Sequence, residues 1–332
     1  MTESPRTPPT ETQETVLASA ANAAATTALP PDAPVATPQT EIRSQWRDVW
    51  RQFRRSRGAM IALALFIGVL LFVSVGPYVW RVDPTYVDIR ARNSGFTAAH
   101  PLGTDQLGRD MLARLMFGGR VSIAVGLTAM ILAITLGSLV GVVSGYFRRL
   151  DAPLMRVTEL FLALPLLPLL LLMVTLFREP LSKNFGPAMG IFLLIVTAIG
   201  ATSWMQSARI VRGEVLGLKE REFILAARSI GTPPGAMIRR HILPNVLSPI
   251  MVAATLGIAT AIITESALSF LGLGFPPDFP TWGRLLNDAV DQMQMYPSRV
   301  ILPGILISMT VLCVNYIGDG LRDAMDPRIR GR

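Results

Sequence analysis

The chain has 332 residues, 51% of them hydrophobic and 16% charged, with a mean hydropathy of +0.44. Soluble domains carry about 25% charged residues, so this balance points to a membrane protein rather than a soluble globular one. The net charge of +8 does not indicate nucleic acid, because the basic residues form short clusters beside apolar runs, and the single cysteine, Cys313, excludes an intrachain disulfide and a cysteine-cluster metal site.

Residues 1–40 are rich in Thr, Ala, Pro and Glu, with prolines at 30, 31, 34 and 38. Such a segment buries too little apolar surface to offset its ordering entropy, and it reads as a disordered cytoplasmic tail. Val16–Ala25 lacks the basic start and strong apolar centre of a cleaved signal peptide. From Glu41 to Met60, with residues 41–58 as the core, Trp46, Trp50 and Phe53 recur at near-helical spacing among six arginines. This is a basic amphipathic helix, suited either to an anionic inner membrane face or to a plain basic flank that orients the first span.

Residues 59–332 then form a domain with six apolar stretches, at 59–80, 121–146, 159–177, 188–208, 246–270 and 299–318. At about 1.5 Å per residue each is long enough, or nearly so, to span a bilayer core of about 30 Å. Pro165 and Pro168 in the third predict a kink within one span, since neighbouring helices can satisfy the freed carbonyls. Orientation follows from Lys and Arg. One side holds six (43–57), three (148–156), seven (209–240), four (322–332) and Arg6; the other holds six (81–120), two (178–183) and two (284–299). The bias puts both termini in the cytoplasm.

Several chemistries are absent. The only lysines, Lys183 and Lys219, do not follow a glycine, so a phosphate-binding P-loop is excluded and any ATP-driven work belongs to another chain. His100 and His241 fall on opposite sides of the membrane in this topology, so no two-histidine metal site forms, and no nucleophile motif is present. The chain is not expected to be an enzyme and holds no cofactor of its own.

Charged groups within spans need a reason, because insertion costs about 2.5–3.5 kcal/mol each. Glu159, beside Arg156, is interfacial. Glu265, with Ser266 next to it, is the deepest, as a gate or proton relay or as a helix-packing hydrogen bond; packing is favoured because a proton-coupled carrier would show more intramembrane acids and an inverted repeat. Trp204 and Asn315 are further candidates for a translocation path, and Asn315 suits helix–helix contact equally well. The outer segment His100–Asp110 is turn-rich, with Asp105 and Asp110 able to cap the next helix; a metal reading from one histidine and two aspartates is weaker than a structural one. The Met293/Met295 pair reads as contact surface.

The polar stretch from about 209 to 245 interrupts the apolar chain. Lys219–Ile230 predicts a helix with Glu220 and Glu222 in its first turn and Arg228 in its last, and with Phe223, Ala226, Ala227 and Ile230 on one face. Gly231 supplies the helix-ending position, and Thr232-Pro233 the cap and first turn of a second short helix. The hairpin is shaped to enter a groove on another protein, or else to pack on its own bundle.

This stretch resembles the cytoplasmic coupling motif of binding-protein-dependent ABC importers, with Ala226, Ala227, Gly231, Leu243 and Pro244 at matching positions. Leu225 stands where that motif has an acid and His241 where it has isoleucine; Glu222 lies nearby. The wider pattern resembles the second permease subunit of dipeptide and oligopeptide importers. It includes His100–Asp105, Ala208–Gly213, His241–Asn245, Glu265–Gly274, Thr281–Gly283, and Gly318–Asp323 before Asp326-Pro327. The resemblance implies an all-α polytopic protein of the type I ABC importer permease fold, with six transmembrane helices, in the inner membrane of a bacterium. It implies a homologous permease as partner, two ATP-binding subunits that carry ATP and Mg, and an extracytoplasmic binding protein that delivers peptides. Related systems carry nickel, glutathione and other solutes. It also implies that Glu222, Phe223, Leu225, Ala226, Ala227, Arg228 and Gly231 couple to the ATPase. From the residues alone, an ion-coupled secondary transporter and a non-transporting membrane scaffold stay open.

Overall fold

In the computed structural model residues 45–325 are described; the tail at 1–40 and the Asp326-Pro327 pair lie outside them. Every regular element among the described residues is helical, apart from one isolated antiparallel bridge between Thr104 and Asp110.

The basic amphipathic segment is not one helix running to Met60. Helix α1 covers Gln45–Arg55 and α2 covers Arg57–Ser74, separated at Ser56, whose extended backbone turns its hydroxyl oxygen to accept from the Ala59 amide. That hydroxyl caps one of the otherwise orphaned first-turn N–H groups. Within α1, Val49 and Phe53 are buried against Ala59 and Ala324 in the chain's own core, while Trp50 is 51% exposed beside the arginines.

A single turn, α3 (Gly76–Val79), leads to an outer segment and then to α4 (Met111–Tyr146), 36 residues and about 54 Å long. It begins ten residues earlier than the apolar run predicts, because Asp110 caps it and Arg114 and Arg120 are absorbed into the helix. Then come α5 (Arg148–Ala163), α6 (Leu166–Phe185), α7 (Pro187–Lys219), α8 (Glu222–Ser229), α9 (Pro234–Met237), α10 (Leu243–Phe270), α11 (Trp282–Val290) and α12 (Ser298–Met325).

The third expected span is the main departure. Among the described residues five helices are long and apolar enough to cross a membrane; a sixth crossing is present if α5 and α6 count together, and they meet at 87°. The cause is local. Pro165 has no N–H to continue the ladder, and Leu164 before it is held extended (φ −76°, ψ 135°), as pre-proline residues are. Pro168 does no damage, since it sits in the first turn of α6 where N–H groups have no partner anyway.

The long helices α4 and α7 form the spine. Gly137, Gly141 and Gly145 of α4 face α7 one turn apart; a Cβ on any of them would come within 2.6–2.7 Å of Ser207, Ala208 or Val211, and Val215. Such small-residue rows let helix backbones approach closely where no hydrophobic effect drives association. At one end of the bundle the Lys219 ammonium donates to Gly145 O and Tyr146 O, the exposed carbonyls closing α4. That is the end carrying α8 and α9. At the opposite end α11 lies across the bundle with Trp282 fully buried, its indole N–H donating to Leu115 O at 2.9 Å.

Candidate functional site

The sequence around Lys219–Asn245 folds into a helical hairpin whose details differ from the simple reading. Helix α7 persists to Lys219, Glu220 follows as its C-terminal cap, and α8 starts only at Glu222. Glu222 and Arg228 do occupy its first and last turns, favourable to the helix dipole, while Glu220 does not. Helix α8 ends as expected. Gly231 has φ +81°, its N–H donates to Arg228 O (3.0 Å), and the Thr232 N–H donates back to Ala227 O (3.2 Å). These are the paired bonds of a Schellman termination. A Cβ on Gly231 would meet open space, so the glycine is there for its backbone, not for room.

The second helix is shifted by one residue. Pro233 is at the N-cap and Pro234 at the first helical position, so Thr232 caps nothing. From α9 the chain passes through a π-turn (Ile238–Ile242) into α10, with Leu243 N–H bonded to Ile238 O. The turn absorbs the gap left by Pro244, which has no N–H, and the Asn245 amide donates to His241 O at 2.6 Å. The His-Ile-Leu-Pro-Asn run thus carries the chain from the π-turn into α10.

The face of α8 is corrected too. Ile224 and Ala227 point inward, into a cluster with Val142, Val211, Val215, Met237 and Ile242, so Ala227 is not part of an exposed ridge. One turn of helix separates i from i+3, and that pair is the hairpin's own anchor. What faces outward is Phe223 (45% exposed), Leu225, Ala226 and Ile230 (84% exposed), with Glu222 and Arg228 beside them. Phe223, Ala226 and Ile230 fall at helical spacing, and nothing among the described residues covers them.

The hairpin is wired to three spans. Besides the cluster with α4, α7 and α10, Arg212 of α7 makes a two-pronged pair with Asp151 of α5, Nε–Oδ1 2.5 Å and Nη2–Oδ2 2.8 Å. A bidentate guanidinium–carboxylate pair fixes orientation as well as distance. Arg212 lies in the Ala208–Gly213 run, but only the fold shows that its partner is 61 residues away.

The candidate path residues separate. Glu265 is fully buried and accepts from the hydroxyls of Ser122 (2.9 Å, from α4) and Ser269 (2.7 Å, one turn on). The Trp282 backbone N–H donates to the same Ser122 oxygen at 3.2 Å. Gly283 is pressed so close to Ser266 that a Cβ would lie 2.3 Å from its carbonyl oxygen. Glu265 and Ser266 thus sit where α4, α10 and α11 meet, and the two hydroxyls give the buried carboxylate hydrogen-bond partners from two helices. Asn315 is half-buried on α12, away from the cavities beside α7. Trp204, half-buried, packs edge-on against Phe161 (6.3 Å between rings) at the α5–α6 elbow.

Beside that pair lies a cavity of about 430 Å³, bounded by α4, the elbow, α7 and α10. A second, of about 630 Å³, lies further along α7 toward the α8 end.

The outer segment is an ion network. Asp105 receives Arg109 Nε (2.7 Å) and Arg114 Nη1 (2.6 Å), Arg114 Nη2 reaches Asp288 of α11 at 3.1 Å, and Arg284 lies 2.9 Å from Asp288. Burial works against the Asp105 charge, but the Arg114 and Arg109 guanidinia and the Arg109 N–H outweigh it and hold its carboxyl below the ordinary value. Asp110 caps α4 through Ala113 N–H and accepts from the Trp80 indole, with the His100 ring at 2.8 Å. Both aspartates and His100 are engaged in holding α11 and the start of α4, as the structural reading expects. No signal in the sequence pointed to Asp288 as the partner.

Comparison with known proteins adds the following. The family described as "Binding-protein-dependent transport system inner membrane component" matches residues 133–331, and the "N-terminal TM domain of oligopeptide transport permease C" matches residues 44–98. Among similar proteins, the oligopeptide transport system permease protein OppC of Haemophilus influenzae is 39% identical over 88% of this chain and 91% of its own. The dipeptide transport system permease protein DppC of Alkalihalophilus pseudofirmus is 35% identical, over 90% and 95%. The glutathione transport system permease protein GsiD of Pectobacterium atrosepticum is 36% identical, over 87% and 93%. Among solved structures, an inward-facing MetNI methionine ABC transporter chain superposes with a TM-score of 0.53 at 18% identity, over 65% of this chain and 98% of that one.

Proposed function

The chain belongs to the family of binding-protein-dependent transport system inner membrane components, and from that premise we propose that it is the permease subunit of an ATP-driven importer of peptides. Relatives covering nearly its whole length are named for oligopeptides, dipeptides and glutathione, so the substrate class is peptide rather than any one length. In this reading it pairs with a homologous permease, rests on two ATP-binding subunits that hold ATP and Mg, and takes substrate from an extracytoplasmic binding protein. Both termini and the α8–α9 hairpin face the cytoplasm, in keeping with the Lys and Arg bias.

The observation that carries the reading is α8. Its outward face of Phe223, Leu225, Ala226 and Ile230 is apolar, uncovered and held at the end of the bundle. Its inward face is locked to α4, α7 and α10. A helix with these two faces transmits a push. The ATP-binding subunits would seat Phe223 and Ile230 in a groove, with Ala226 allowing close approach and Glu222 and Arg228 at the rim. Leu225 extends the apolar surface where related motifs have an acid, so the contact there is one of packing. Movement of α8 would pass through Ile224 and Ala227, and through the Arg212–Asp151 pair, into the spans that line the cavities. Gly231 sets the angle of the hairpin.

The test is Ala226→Arg, which puts a long cation on the outward face without touching the core. It should abolish co-purification of the ATP-binding subunits and ATP-dependent uptake in reconstituted vesicles. Wild-type co-purification, or uptake that survives without ATP and collapses with an ion gradient, would overturn the proposal. Ala227→Arg is a poorer test, since Ala227 is buried and its loss would unfold the hairpin.

A further inference from the structure

The two cavities beside α7 are consecutive sections of one tract. Gln206 and Ile210 line both. The upper section, about 430 Å³, is within the size range of small-ligand sites of roughly 300–1,000 Å³. Its walls are apolar residues such as Met130, Phe161 and Leu256, relieved by the uncharged polar groups of Ser203, Gln206 and Thr260. No charged side chain among the described residues lines it.

The lower section differs in kind. It is bounded by Glu159, Arg209 and Arg212. Arg212 is committed to Asp151, and Glu159 faces only an exposed Arg156 at 4.0 Å. Arg209 has no carboxylate within salt-bridge distance among the described residues. The mouth of the tract therefore offers one carboxylate and one guanidinium, while the neck above it offers only amide and hydroxyl groups.

That sequence of chemistries fits one class of occupant. A peptide has a neutral amide backbone and two oppositely charged ends. Amide groups exchange hydrogen bonds with Ser203 and Gln206, whereas a fixed charge in the neck would favour side chains of one sign and exclude the other. An uncharged neck accepts both. At the mouth, Glu159 matches the ammonium end and Arg209 the carboxylate end.

We propose that this tract along α7, with Gln206 at its neck, is this chain's share of the passage for zwitterionic peptides. It rests on the reading of the chain as a peptide permease. Gln206 is exposed within the tract and makes no hydrogen bond to another residue described, so it can be exchanged without unpacking the bundle.

The experiment uses the complete importer reconstituted in vesicles and two probe peptides, Ala-Lys-Ala and Ala-Glu-Ala, supplied with the binding protein. Gln206→Glu should raise the ratio of Lys-peptide to Glu-peptide uptake by about tenfold or more, since one unit charge acting through an effective dielectric near 20 gives a factor of about ten even at roughly 12 Å. Gln206→Lys should shift the ratio the other way, and Ser203→Asp should shift it as Gln206→Glu does. ATP hydrolysis without peptide and subunit co-purification should stay at wild-type levels. A ratio unchanged in all three, or moved in the same sense by both Gln206 variants, overturns the passage and leaves a lipid-filled crevice. If the Gln206 variants fail to assemble, Ser203→Asp decides alone. Failure of the underlying permease reading looks different: the wild-type importer would then move neither peptide.

Discussion

Gly231 is where a single backbone angle sets the geometry of the proposed coupling hairpin. Its φ of +81° lies in the left-handed region, and a Cβ there would touch nothing, so replacing it by alanine changes only the conformational term. That term is roughly 1–2 kcal/mol for an ordinary residue in this region, against little for glycine. Asparagine tolerates the region better, and proline cannot enter it because its ring holds φ near −65° and removes the N–H that bonds to Arg228 O. The expected order of destabilisation is therefore Gly231→Asn, then Gly231→Ala, then Gly231→Pro. Native-state hydrogen exchange of the assembled importer, read on peptides covering residues 222–232, measures it directly. Gly231→Ala should speed exchange of the amides closing α8 by about 5–30-fold, the population change for 1–2 kcal/mol. Gly235→Ala is the control. Gly235 sits in α9 with an ordinary backbone and open space, so alanine there should be neutral or slightly protective. If Gly231→Ala exchanges at the wild-type rate, or Gly231→Asn is the worse of the two, the left-handed termination is not what holds the hairpin.

Four further outcomes follow from the contact geometry. Glu265→Gln keeps an acceptor for the serine hydroxyls and should leave uptake unchanged at every pH, whereas Glu265→Ala orphans Ser122 and Ser269 and should lower the thermal midpoint; a pH-dependent loss of uptake in the Gln variant would revive a proton-relay role. Asp105→Ala leaves the Arg109 and Arg114 guanidinia without their shared carboxylate and should cost about 3–5 kcal/mol, seen as a large fall in thermal midpoint. Because Asp105 titrates below its ordinary value when folded, its contribution is fully present above the ordinary carboxylate pKa, about 3.9, and is lost as pH falls from there through the folded value; Asp105→Asn should flatten that acid limb of a stability–pH curve. Trp282→Ala removes a fully buried ring and its bond to Leu115 O, at about 3–5 kcal/mol, and should loosen α11 from the bundle, measurable as faster exchange across 282–290.

Much of the architecture is written in local runs of residues. Apolar stretches of span length, Asp110 as a cap, Gly231 as a helix terminator and the clustered arginines act through contacts a few residues away, so they can be read in order. The missing Gly-Lys-Ser/Thr run is likewise a matter of composition, legible without any structure.

Where two segments must meet, local runs carry no information. Pro165 announced a disturbance, but its size, an 87° elbow rather than a kink within one span, is seen only in the fold. Ala227 carried the same signals as Ala226. Only the fold shows that one is buried beside Val211 and Ile242 while the other faces outward, because a rotation of one residue, about 100° around a helix, exchanges core for surface. Packing is the favoured reading of Glu265 from the sequence, but its partner Ser122, 143 residues away in sequence and 2.9 Å away in space, is visible only in the fold. Composition and local runs of residues already carried the helical membrane protein and its polar hairpin. Which face of that hairpin is free, which hydroxyls meet Glu265 and where a tract opens beside α7 are seen only in the tertiary structure, since each depends on contacts between residues far apart along the chain.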